Sequence, residues 1–179
     1  MRVSTTAPLE ANERAVLLQG LRSVTTREAR TTWVFYSLGC HPWCLAHPKQ
    51  SRIRITQEGR ASFVNWRRAK TRTAKHPEMH VPLNPEIEPW LPDFLAHELG
   101  YSEREYLRRV ELFGLSCGIE GLSPRTLRHD FCLRMLEATG WDVNTAQTLT
   151  GTTASILLGY ARRRNVTAAS EAIRARGFA

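Results

Sequence analysis

The chain has little that would hold it in a membrane or send it out of a cell. It contains no run of the ~18 apolar residues that a bilayer span requires. Its first residues, Met1-Arg2-Val3-Ser4-Thr5-Thr6, lack the apolar segment of a secretory signal, so cytoplasmic residence follows by default. Cysteine is scarce. Cys40, Cys44, Cys117 and Cys132 show no disulfide-framework spacing, which suits a reducing compartment. Cys40, His41, Cys44 and His47 do lie close together. With Pro42 and Trp43 between them and no second cysteine pair, a zinc site is not expected, nor is any other cofactor. No internal repeat and no low-complexity segment occurs. Acidic residues are also in deficit, with 17 Asp and Glu against 25 Lys and Arg, for a net charge of +8. A pI near 9.9 points to an acidic partner. No basic amphipathic helix with a bulky apolar face is evident, so nucleic acid is expected ahead of a membrane surface. An aromatic-rich recognition motif for RNA is absent too.

What is present fits one soluble domain. The 179 residues are enough for one well-buried core, and 42% are hydrophobic. Apolar spacing predicts helices over 9–21 and 26–38, with Gly20 weakening the first and Gly39 stopping the second. Pro42 suits the first turn of a short helix. Arg52 to Thr56 alternates charged and apolar residues, and 61–67 and 79–83 complete three short strands. Helical spacing returns over 85–99, 102–113 and 123–140, then in shorter pieces over 143–149, 153–163 and 168–176. The fold class is therefore α+β, mainly α, with a small three-stranded antiparallel sheet.

The most informative stretch runs from Ser123 to Tyr160. Ser123-Pro124 reads as an N-cap followed by proline in the first turn, and Leu127, Phe131 and Met135 form an apolar face with Cys132 and Leu136 beside them. Arg125 and Arg128 occupy the first turns, three apart, at the positive end of the helix dipole. A bound anion would relieve both their mutual repulsion and the dipole cost. Downstream, Tyr160 precedes Arg162-Arg163-Arg164. Together these residues suggest a phosphate clamp followed by a nucleophile.

This pattern resembles the catalytic domain of the tyrosine recombinases, the phage integrase family, and the resemblance extends over nearly the whole chain. The family's second arginine box, a His or Lys, two residues, Arg and then usually His, is matched by Arg125-Thr126-Leu127-Arg128-His129, with Arg125 at the His or Lys position. Lys70, in Trp66-Arg67-Arg68-Ala69-Lys70-Thr71, resembles the family's hairpin lysine, and Lys75 is the fallback. The first arginine is replaced. Leu38-Gly39-Cys40-His41-Pro42-Trp43-Cys44-Leu45 puts His41 in its place and Cys44 in that of the following glutamate, a Gly-x-His form that resembles some archaeal integrase-like proteins. The segment where histidine or tryptophan is usual reads Leu149-Thr150-Gly151-Thr152, leaving Thr152 there, or Gly151 if the spacing is counted strictly.

The resemblance implies a helical catalytic domain over 9–179, with 1–8 the end of a linker and no room for the family's N-terminal core-binding domain. It implies site-specific recombination of double-stranded DNA through a 3′-phosphotyrosyl bond, without metal or ATP, by a homo-oligomer assembled on DNA. Tyr160 is the implied nucleophile, Arg128 and Arg125 bind phosphate, and Lys70 protonates the leaving oxygen. His41 and Thr152 would supply single hydrogen bonds. His129 is given a structural part. Arg67, Arg68, Arg72, Lys75, Arg162 and Arg163 are expected along the DNA backbone, and the 168–176 helix is expected to pack on its own domain or a neighbour. Tyr160 follows Ile156 and Leu157 at helical spacing and so suits a core aromatic; Gly159 and the three arginines favour exposure instead. The alternative is a DNA-binding module that keeps the fold but cuts slowly or not at all.

Overall fold

Thr26 and Gly39 bracket the helix on which the first part of the molecule is built. In the computed structural model, which describes residues 8–67 and 79–160, Thr26 Oγ1 accepts from the Ala29 N–H at 3.2 Å. Gly39 turns left-handed at φ 58° and closes the helix through its N–H to the Phe35 carbonyl. Between them, α2 (Arg27–Leu38) buries Trp33, Val34, Phe35 and Leu38. It packs against α1 (Ala11–Ser23) and α6 (Glu103–Ser116). The indole N–H of Trp33 donates to the Leu21 carbonyl at 2.9 Å, which fastens α1 to α2.

The chain forms two compact units, Met1–Phe131 and Cys132–Ala179. In the first, the order is α1, α2, α3 (Pro42–Ala46), α4 (Pro48–Ser51), β1 (Arg54–Glu58), β2 (Ala61–Trp66), β3 (Met79–Pro82), α5 (Leu91–His97), α6 and the first half of α7 (Pro124–Ala138). The three strands pair antiparallel in sequence order, with Ile55 opposite Val64 and Val64 opposite Val81. Val64, Trp66, Met79 and Val81 alternate onto one buried face. The second unit holds the rest of α7, then α8 (Val143–Thr150) and a helical segment over 154–160. Its buried residues include Leu136, Ala146 and Leu157. The mainly helical α+β architecture with a three-stranded antiparallel sheet is as the sequence predicts.

Several element boundaries differ from the sequence reading for local reasons. Gly20 lies inside α1 rather than weakening its end, and the missing side chain makes room for Cys117, whose Sγ a Cβ there would meet at 2.6 Å. The first strand begins at Arg54, since Arg52 adopts φ 51° and closes the one-turn α4. Over 85–90 the chain forms turns, and the helix starts only at Leu91 with Pro92 in its first turn.

Two buried charges hold distant parts of the first unit together. Asp130, wholly buried, accepts from Arg14 Nε and Nη2 at 3.0 and 2.7 Å, across 116 residues of sequence. Arg109, its side chain 3% exposed, meets Glu98 Oε2 at 2.8 Å and Glu105 Oε1 at 3.0 Å. Its guanidinium also lies over the Tyr101 ring, 4.5 Å from the centroid.

Candidate functional site

Helix α7 starts where the sequence places it. Ser123 Oγ accepts from the Thr126 N–H at 3.2 Å, and Pro124 takes the first helical position, where a missing N–H costs nothing. Leu127, Phe131, Cys132 and Leu136 are buried, and this rotation leaves Arg125 exposed and Arg128 half-buried. The two arginines therefore have different surroundings. Arg125 faces solvent, whereas Arg128 Nη1 donates to the Gly39 carbonyl at the C-terminus of α2. That helix end carries partial negative charge, so it offsets the cost of a cation at the start of α7.

Gly39 cannot carry a side chain in this position. Besides its positive φ, a Cβ would lie 2.3 Å from Phe131 Cδ1. The next residue, Cys40, is buried, and burial pushes its thiol well above the ordinary value. Cys44 adds to that shift and the Arg128 charge partly opposes it. His41 then caps α3, its Nδ1 accepting from the Trp43 N–H at 3.2 Å. A neutral ring bonded in this way keeps its proton on Nε2, which makes His41 an exposed single donor. Glu103 Oε2 lies 3.8 Å from the same Nδ1, a separation that becomes an ion pair only when the ring is protonated.

The hairpin base is pinned to the same segment. The Arg67 N–H donates to the Ser51 carbonyl at 2.6 Å, and Ser51 Oγ donates to the Cys44 carbonyl at 2.7 Å. Cys44 Sγ lies 4.0 Å from the Arg67 carbonyl. The Arg128 guanidinium and the Arg67 backbone are thus both tied to the short stretch from Gly39 to Cys44 that contains His41. Arg68, Lys70, Arg72 and Lys75 lie outside the described residues, as do Arg162, Arg163 and the 168–176 segment.

In the second unit, Gly151 ends α8 in the left-handed region at φ 58°. Thr152 follows, 5% exposed, with Oγ1 3.3 Å from Cys132 Sγ and its N–H on Thr150 Oγ1. Tyr160 is 7% exposed, which corrects the expectation that its phenol faces solvent. The same helical spacing from Leu157 that suits a core aromatic places both residues inside. Among the other tyrosines, Tyr36 and Tyr106 are buried, and burial pushes the Tyr106 phenol up to about 12.

Sequence reasoning treats Gly39 as a stop signal and as part of the Gly-x-His segment, and leaves Glu103 and Asp130 without a role. The Gly39 carbonyl has no sequence signature. Glu103, an acidic residue in the first turn of a capped helix, is readable as a helix feature but not as a neighbour of His41. Among the described residues, no group of three or more His, Cys, Asp or Glu is placed to hold a metal ion. No described helix is long and apolar enough to cross a membrane.

No family model and no curated protein matches the sequence. Solved structures match in fold. The chain is similar to XerH site-specific recombinase bound to difH substrate in a pre-cleavage complex, with a TM-score of 0.63 at 17% identity over 92% of this chain. It is also similar to XerH bound to palindromic difH substrate in a post-cleavage complex, with a TM-score of 0.65 at 18% identity over 93% of this chain. The chain spans about half the length of both structures, 52% and 53%. Its architecture is the tyrosine-recombinase catalytic-domain fold.

Proposed function

We propose that the chain is a tyrosine-type site-specific DNA recombinase that breaks and rejoins double-stranded DNA through a 3′-phosphotyrosyl intermediate on Tyr160. The observation that carries this reading is Arg128, seated on the Gly39 carbonyl at the end of α2 two residues before exposed His41, with Arg125 exposed one turn before Arg128. A phosphodiester is a poor electrophile until fixed donors neutralise it, and this segment supplies such donors within a few residues. In the proposed reaction the Tyr160 phenol releases its proton to water as its oxygen bonds to phosphorus, and the bond to the 5′-oxygen breaks. Lys70 gives that oxygen its proton. Thr152 adds a hydroxyl near the phosphate, and Arg67, Arg68, Arg72, Lys75, Arg162 and Arg163 follow the DNA backbone. Residues 9–179 form the catalytic domain, assembled on DNA as a homo-oligomer, and the Gly-x-His segment aligns it with the archaeal integrase-like proteins.

A second reading keeps the DNA-binding surface and removes the cleavage. It is favoured by the burial of Tyr160 and Thr152 and by histidine in place of a bidentate arginine at position 41. Incubation with nicked duplex DNA separates the two. Recombination chemistry predicts a denaturant-resistant protein–DNA band that Tyr160→Phe eliminates. Tight binding with no such band from either protein supports the binding module. A band that survives Tyr160→Phe moves the nucleophile elsewhere.

A further inference from the structure

We infer that Gly39 is a positioning residue for the Arg128 guanidinium, holding it by a backbone carbonyl that no other residue type can place there. An arginine in the first turns of a helix is electrostatically misplaced and, on its flexible stem, conformationally free. Arg128 loses that freedom because Nη1 donates to the Gly39 carbonyl, an acceptor at the negative end of α2. The guanidinium is planar with its donors in a fixed fork, so anchoring one nitrogen sets the direction of the others.

The geometry of the acceptor depends on having no side chain. Gly39 sits at φ 58°, and a Cβ would stand 2.3 Å from Cδ1 and 2.5 Å from Cγ of Phe131. Phe131 lies on α7, one turn beyond Arg128. One helix therefore carries both the cation that the carbonyl accepts from and the ring that keeps the carbonyl's residue small. The ring fixes how closely α2 approaches α7, and the carbonyl fixes where the fork points. Gly39 itself would touch neither substrate nor reacting atoms.

This inference rests on the recombinase reading for what Arg128 holds, but not for how Arg128 is held. The test uses the full chain labelled with 15N in arginine side chains, without DNA, and Arg128→Lys identifies the Arg128 resonance by its disappearance. The parent protein should show a resolved Arg128 Nη signal with slowed rotation. Gly39→Ala should merge that signal with those of freely rotating arginines while the protein still melts cooperatively. With a pool of nicked duplexes of randomised sequence, Gly39→Ala should slow adduct formation by about a hundredfold, the scale expected for a misplacement near 1 Å. An Arg128 signal that rotates freely in the parent overturns the inference, and that measurement decides it even where Gly39→Ala does not fold. A held signal in the parent, together with tight DNA binding and no adduct from the parent on nicked duplexes, upholds the positioning and overturns the recombinase reading instead.

Discussion

Replacing Arg109 by methionine removes the central charge of a cluster that also holds Glu98, Glu105, Arg27 and Arg108. The arginine side chain is 3% exposed, lies between Glu98 and Glu105 and covers the Tyr101 ring. Methionine fills much of the space but leaves Glu98, 12% exposed, without its closest cation. Breaking a buried pair by removing one partner costs about 3–5 kcal/mol. The lower end applies here, because Arg27 Nε remains 3.0 Å from Glu98 Oε1 and is well exposed. A loss of about 3 kcal/mol lowers the melting midpoint of a chain this size by about 6–12 °C. Differential scanning calorimetry on Arg109→Met, Glu98→Gln and the double variant measures it. The double variant should be more stable than the sum of the two single losses predicts, because it leaves no uncompensated charge. A loss below about 1 kcal/mol for Arg109→Met, the range of exposed pairs, would show that water screens the cluster and refute the argument.

Other perturbations test the site and its electrostatics. Arg128→Ala should abolish covalent adduct formation on nicked DNA while leaving the melt cooperative, and Arg125→His should preserve or raise the adduct yield. Affinity for duplex DNA, followed by fluorescence anisotropy, should fall by about a thousandfold or more between 50 and 200 mM salt if at least six phosphates are contacted; a flat response would exclude a backbone-dominated interface. Glu86, through Arg22, and Glu105, through Arg108 and Arg109, have carboxyl pKa values below the ordinary range in the folded protein. Their contribution to stability is therefore full above the unfolded value of about 4.3 and is lost as pH falls through the lowered folded values. Thermal melts between neutral pH and pH 3 should show that loss, and Glu86→Gln should flatten the slope on the acid side.

Features set by neighbours in sequence were readable, and those set by neighbours in space were not. Thr26 with Gly39, and Ser123 with Pro124, announce helix ends because caps act on backbone groups within a turn. Two-residue alternation found the strands, although it began the first too early, because Arg52 looks the same in an αL cap as in a strand. Arg109 and Asp130 resemble any surface charge until the partners that make burial tolerable are known. The arginine box was legible as a motif. That Arg128 is received by a backbone carbonyl was not, since every residue has one. Tyr160 shows the opposite failure. Its apolar spacing is visible in the sequence, and its burial follows that spacing rather than the flanking arginines.

The bond between Arg14 and Asp130 has a consequence for the order in which the molecule matures. On the ribosome, the first helix leaves the tunnel long before the residue that ties it to the arginine box, 116 positions later. The start of α7 cannot be locked until nearly all of the first unit is available. A contact of such high sequence separation raises contact order and slows the step that closes it. The start of α7, with Arg125 and Arg128, should then be among the last parts of the first unit to form, so partly made chains would carry most of the basic residues before that helix end is fixed.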